Sequence, residues 1–241
     1  MLSSVVWRCA RHLVAVLPLA LLTGQAAGQS PRCPNPTSNS APFFAAEQAP
    51  TAPTSLETPI WKTITVGGSK GVNAIREAME TAPCRIQIGD DANEILGRPA
   101  FPFIKKPVEL DLVVLSVFEL GFGDQASRKA VQVSLHEIYA RAAALGFDLC
   151  PAEVGPALRL NYLDQPLGEF LHIAMKPVAR YTGELVSFTV GAGGAELLLI
   201  GGNGDPDVMY PAVVRFVFVR PRADTIVSSA SRENAESLAK R

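Results

Sequence analysis

Histidine is scarce in this chain: three in 241 residues, at positions 12, 136 and 172. A multi-histidine metal centre is therefore out of reach. His136 begins the phrase HEIYA, but Ala140 stands where a zinc-binding HExxH helix needs its second histidine, which excludes that class of protease. Positive charge has no surplus, with 22 Lys and Arg against 23 Asp and Glu. The densest basic pairs, Lys105–Lys106 and Arg220 with Arg222, read as solvated strand ends, so nucleic acid held on a basic face is excluded. After residue 22 no apolar run reaches membrane-spanning length. There is no internal repeat. Asn203, Asp205 and Asp207 have the 1, 3, 5 spacing of a calcium loop, but valines 208 and 214 stand where that loop needs its glycine and its glutamate. A Gly-Asn-Gly-Asp-Pro turn accounts for the same residues. Gly191, Gly193 and Gly194 lead into a strand pattern and not a helix, so they make no phosphate cradle. No metal and no cofactor is expected.

The first 28 residues carry the clearest signal. Arg8 and Arg11 precede the apolar run HLVAVLPLALL at 12–22, and small residues follow at Ala26 and Gly28. That order is the order of a signal peptide, and the run is too short for a comfortable span. The reading is an exported protein, periplasmic or extracellular, with no transmembrane segment left after cleavage. Residues 29–60 are rich in Pro, Ser and Thr and read as a disordered linker. Residues 61–222 read as one globular domain, and 223–241 as a polar flexible tail.

With 48% hydrophobic residues the chain has enough apolar mass for a sizeable core. Its centre is the stretch 108–120, VELDLVVLSVFEL, apolar on one parity except for Ser116 and apolar at the middle of the other. That is the pattern of a strand covered on both faces. Asp111, towards the charged end of the mixed parity, is expected to matter little to stability. Leu112, on the apolar parity, is expected to be essential.

The pattern 61–66 predicts a first strand, 70–82 a helix capped by Ser69, and 90–96 a short helix stopped by Gly97. A long helix is expected over 128–145, from Val131, Leu135, Ile138, Ala142 and Leu145. A short strand follows at 147–150. From there strands are expected at 156–163 and 169–176 as a hairpin, then at 185–190, 196–200 and 212–219. The class is α+β: a mainly antiparallel sheet with a C-terminal strand meander and two or three helices packed on one face.

The phrases ANEILGRPAF at 92–101, DLVVLSVFELGF at 111–122, LCPAEVGPALRLNYLDQPLGE at 149–169 and RFVFVRPR at 215–222 resemble an uncharacterised family of bacterial proteins. The likeness covers about 61–222. It implies no assigned activity, ligand or catalytic residue. It also implies a domain shared with relatives that lack an exported N-terminus, and so one that folds without oxidation.

The best polar cluster is Cys150, Glu153, Arg159, Glu169 and His172. Glu153 stands in a Pro/Gly-flanked loop, a common place for function. Cys150 with His172 and an orienting carboxylate would make a nucleophile set. Alternatively Arg159 bridges Glu153 or Glu169, and Cys150 is a small buried apolar group. Two function classes follow. One is a non-catalytic binding or interaction domain, its partner a protein or a small-molecule ligand, with Arg159 and Glu169 as candidate binding residues. The other is a small secreted hydrolase using Cys150 or Glu153 with His172. Leaving aside the leader, Cys33, Cys84 and Cys150 remain. A disulfide, if formed, is expected to join Cys84 to Cys150; a reduced, inward-facing Cys150 is the preferred reading.

Overall fold

The structure, a computed structural model of the chain, describes residues 33, 52–123, 131–194 and 196–222. The expected leader, the linker up to residue 51 apart from Cys33, the start of the long helix at 128–130 and the tail lie outside the described residues. The elements in chain order are β1 (Lys62–Val66), α1 (Val72–Glu80), β2 (Ile86–Ile88), α2 (Asp90–Leu96), β3 (Val108–Ser116), β4 (Gln132–Ser134) and α3 (Leu135–Ala144). Then come α4 (Val154–Asn161), β5 (Phe170–Ile173), β6 (Val178–Ala179), β7 (Leu185–Gly193), β8 (Glu196–Asn203), β9 (Met209–Pro211) and β10 (Arg215–Arg220).

The fold is α+β, with a mostly antiparallel sheet. Its strand order is β1-β3-β10-β5-β7-β8-β2, with β6 paired to β7, and β4 pairs β9 in a separate ribbon. Two pairs are parallel, β10 with β5 and β2 with β8. As expected of a strand apolar on both parities, β3 is interior, between β1 and β10. Leu112 enters one core cluster, while Val113 and Leu115 enter the other. Helices α1, α2 and α4 contribute Ile75, Met79, Ile95, Leu96, Val154 and Leu158 to the first cluster. Helix α3 contributes Leu135, Ile138 and Ala142 to the second, so helices do not gather on one face alone.

Several expectations are corrected. Residues 156–163 are not a strand: 154–161 form α4, and β5 lies between β10 and β7 instead of in a hairpin with them. Pro156 fits because it occupies the first helical turn, where no intrahelical amide is needed. The long helix begins at Leu135 because 132–134 pair with β9; Ser134 and Glu137 then form a reciprocal capping box. The segment 147–150 makes only isolated bridges, Asp148 to Val219 and Cys150 to Met175. Strand β10 returns between β3 and β5, which interrupts the expected meander. Helix α1 has Gly71, not Ser69, at its N-cap. Residues 52–60, expected as linker, are packed. The Ser55 amide donates to Leu145 O (2.9 Å), Arg220 Nη1 donates to Thr58 O (2.9 Å), and Ser55 and Thr58 are buried.

For the cysteines the preferred reading of Cys150 holds, and the partner of Cys84 is corrected. Cys33 is bonded to Cys84, and Cys150 is free and buried. The bridge spans 51 residues, a loop whose closure stabilises by about 4 kcal/mol. An unreduced digest is expected to yield the Cys33–Cys84 peptide pair, with Cys150 alkylated only after denaturation. A Cys84–Cys150 pair would refute this arrangement.

Asp111 is the other correction. It is buried, accepts from Thr63 Oγ1 (2.7 Å), and takes two bonds from Arg222, Nε (2.8 Å) and Nη2 (2.9 Å). The Arg222 bonds, then the Thr63 bond, outweigh burial and hold its carboxyl down at about 2. Because the folded value lies below the unfolded one near 4, this stabilisation is complete above about pH 4 and is lost as pH falls through 2. Asp111→Leu is expected to lose about 2 kcal/mol in a denaturant melt at pH 7 and little at pH 2. Leu112→Asp, at a fully buried position, puts an unpaired carboxylate in the core and is expected to unfold the domain.

Candidate functional site

The structure does not bring the candidate nucleophile and base together. Cys150 belongs to the first core cluster; its amide donates to Ala174 O (2.6 Å) and its thiol to Val217 O (3.3 Å). Burial pushes the thiol far above its ordinary range, so no thiolate forms at neutral pH. On β5 the neighbours Leu171 and Ile173 point into that same cluster. His172 between them therefore points to the opposite face of the sheet. There its ring packs on Tyr210 and Phe216, with centroids 5.1 and 5.3 Å away. Its Nδ1 lies 3.1 Å from Thr189 Oγ1, and burial draws it down to about 4, so it is neutral at pH 7.

Arg159 and Glu169 also stand apart. Arg159 is fully buried beneath α4. Its Nη1 donates to Gln165 Oε1 (2.6 Å) and Gly191 O (2.9 Å), and its Nη2 to Tyr162 O. Burial lowers it to about 10, which leaves it charged at neutral pH. It ties α4 to the β7 backbone and pairs with neither glutamate. Glu169 instead accepts from Tyr162 Oη (2.8 Å) and forms an ion pair with Arg215 (2.8 Å). Gln165, almost fully buried, is the partner that the sequence reading missed; a Gln inside the turn phrase DQPLG carries no signal of burial.

Glu153 is different. It is 3% exposed, yet it lines a cleft of about 270 Å³ between the end of β1, α1 and α4. Three local features place it. Gly155 lets α4 approach Phe188, since a Cβ there would come within 2.5 Å of that ring. The Ile104 amide donates to Glu153 Oε2 (2.6 Å). Ile104 O in turn accepts from the Gly68 amide (2.8 Å), which fixes the turn after β1. That turn demands glycine at 67: φ is +88°, and a Cβ would meet Lys106 O at 2.6 Å. From the irregular phrase at 98–103, Phe101 and Phe103 fold onto the first core cluster, their rings 4.7 Å apart and tilted by 60°.

Among the described residues the Ile104 amide is the one hydrogen-bond partner of the Glu153 carboxyl, and no Lys or Arg pairs with it. Burial raises its pKa, against the lowering by the Ile104 bond. The cleft walls are aliphatic, with Ala74, Ile75 and Ala78 from α1 and Pro156, Ala157 and Leu160 from α4. At its mouth are Ser69, Lys70 and Asn161. An under-coordinated acid at the base of an apolar cleft can accept a proton or a ligand's N–H donors.

A larger cleft of about 610 Å³ contains Asn203, Asp205 and Asp207. There Asn203 Oδ1 accepts from the Asp205 amide (2.9 Å) and Asp205 Oδ1 from the Asp207 amide (2.8 Å), two successive side-chain turns. Among the described residues no group of three or more His, Cys, Asp or Glu is placed to hold a metal ion. Nor, among those residues, is any helix long and apolar enough to cross a membrane.

Comparisons with family models, with curated proteins and with solved structures gave no match. The site must therefore be judged on its geometry. Since the folded Glu153 holds its proton more tightly than the unfolded chain does, ionising it costs stability as pH rises above the unfolded value of 4.5. Glu153→Gln keeps an acceptor for the Ile104 amide and removes that cost. The variant is expected to melt at or above wild type at pH 7, with the difference closing below pH 4.5. A lower midpoint at pH 7 would mark Glu153 as a structural acid.

Proposed function

We propose that the chain is an exported, non-catalytic binding domain whose small-molecule ligand occupies the Glu153 cleft. One observation carries the reading: a buried carboxyl with a single amide partner lines a cleft whose walls are mostly aliphatic. One of its oxygens satisfies the Ile104 amide, but a largely buried acid without a cation still costs free energy that a neutral acceptor would not. Its retention is accounted for by a ligand that completes its hydrogen bonds. The separation of Cys150 from His172 by the sheet favours binding over the hydrolase reading.

Export rests on the order of charge, apolar run and small residues in the first 28 positions. The Cys33–Cys84 bridge supports it, because disulfides persist in oxidising compartments. The product is then periplasmic or extracellular.

Two measurements test the proposal. The protein from the exported fraction is expected to have an intact mass that begins near residues 27–29; a mass that begins at Met1 refutes export. A ligand-observed NMR screen of a small-metabolite mixture against the full chain is expected to give signals that Leu160→Trp, which fills the cleft, abolishes. Ester hydrolysis abolished by His172→Ala would overturn the non-catalytic reading.

A further inference from the structure

We infer that the Glu153 cleft binds a small aliphatic amino acid in its zwitterionic form, its ammonium group on Glu153 and its carboxylate towards Lys70. This rests on the cleft being a ligand site, and names the class of ligand.

The volume comes first. At about 270 Å³ the cleft lies just below the range of ordinary small-molecule pockets, so it takes a ligand of few atoms. The walls come second. Ala74, Ile75, Ala78, Ala157 and Leu160 offer alkyl surface and no aromatic ring. An alkyl side chain is desolvated well there, while a nucleobase or phenyl group finds nothing to stack on.

Two charged residues of the lining supply the charges. Glu153 is buried, and its one protein donor is a neutral amide. It lacks a cation, and the matching group is a compact N–H donor of positive charge, an ammonium. The exposed part of the lining includes Lys70, two residues before α1. The first turn of α1 holds no acid, and its N-cap Gly71 makes no side-chain capping bond. Ser69 is already engaged with the Gly71 backbone (3.2 Å). The lysine and the uncapped positive end of the helix therefore favour an anionic group nearby. A ligand with an alkyl body, an ammonium and a carboxylate meets all three requirements. An alkylamine would leave Lys70 unanswered, and a fatty acid would set its carboxylate against Glu153.

The experiment is calorimetric titration of the full chain with three ligands: L-leucine, isopentylamine (leucine without its carboxylate) and 4-methylpentanoate (leucine without its ammonium). Leucine is expected to bind at least ten-fold more tightly than isopentylamine, and 4-methylpentanoate not to bind. Glu153→Gln is expected to weaken leucine at least ten-fold while keeping the wild-type melting curve or a higher one. Lys70→Ala, at an exposed position, is expected to weaken leucine and leave isopentylamine unchanged. Equal affinity for leucine and isopentylamine, or a Lys70→Ala variant that binds leucine as wild type does, would overturn the zwitterion. Binding of 4-methylpentanoate that survives Glu153→Gln would overturn the ammonium assignment. If no amino acid binds but the metabolite screen still gives signals lost in Leu160→Trp, this inference fails and the binding-domain reading stands. If neither does, both fail.

Discussion

The fold depends on the pairing of β3 with β10. Six residue pairs hold these strands together, from Arg215 with Ser116 to Arg220 with Asp111. Both strands are apolar on both faces at their centres, with Val113 beside Phe218 on one side and Leu112 beside Val219 on the other. Two adjacent strands that cannot bear water on either face require cover on both. On one side that cover is α4 with α1 and α2; on the other it is α3 with Phe147 and Tyr210. The polar ends of the same pair are used differently. Asp111 takes Arg222 at one end, and at the other Ser116 takes the Glu119 carboxylate. The charged boundary of the central strand thus consists of paired groups, which is why Asp111 behaves as part of the structure and not as surface.

How much of this was legible follows from which residues obey a simple period. Strand β3 was readable because its two parities carry different loads, and α2 because Gly97 stops a short apolar stripe, although its N-cap is Gly89 and not Asp90 or Asp91. Helix α4 was misread because Leu158, Leu160 and Tyr162 alternate with Arg159 and Asn161 as a half-buried strand would. The alternation misled because Arg159 is not on the solvent side; it is fully buried and bonded to backbone carbonyls. A two-letter code of apolar and polar cannot represent a buried guanidinium. The start of α3 was misplaced for another reason. Val131 extends the helical stripe by one more step, but 132–134 gain a ladder with β9, and tertiary pairing wins over local period. Cys33 stands alone in a Pro-rich stretch with no pattern around it, and nothing local points to Cys84 as its partner.

The candidate site was half legible. Glu153 was singled out for its Pro/Gly-flanked position, yet Lys70, Ala74 and Leu160, which complete the cleft, are 7 to 83 positions away and belong to elements whose mutual packing no spacing reveals. The grouping with Cys150 and His172 assumed one surface. Period 2 along β5 does place His172 opposite Leu171 and Ile173, but which face Cys150 joins depends on its bridge to Met175.

The strongest reason to separate function from structure lies within α4 and its cap. Glu153 and Arg159 are six residues apart, opposite in charge and both buried, but their surroundings are not alike. Both terminal nitrogens of Arg159 donate to protein acceptors, and its Nε is the one atom left without a partner. That is how a buried charge is held when its role is to lock a packing arrangement. Glu153 receives one amide, no cation, and borders a cleft. Placing the two charges in contact would have relieved both desolvation costs at once. The helix instead turns Arg159 towards β7 and leaves Glu153 at the cleft, open to the donors that the proposed ligand would supply. Departures from internal consistency of this kind gather where a chain does something besides fold.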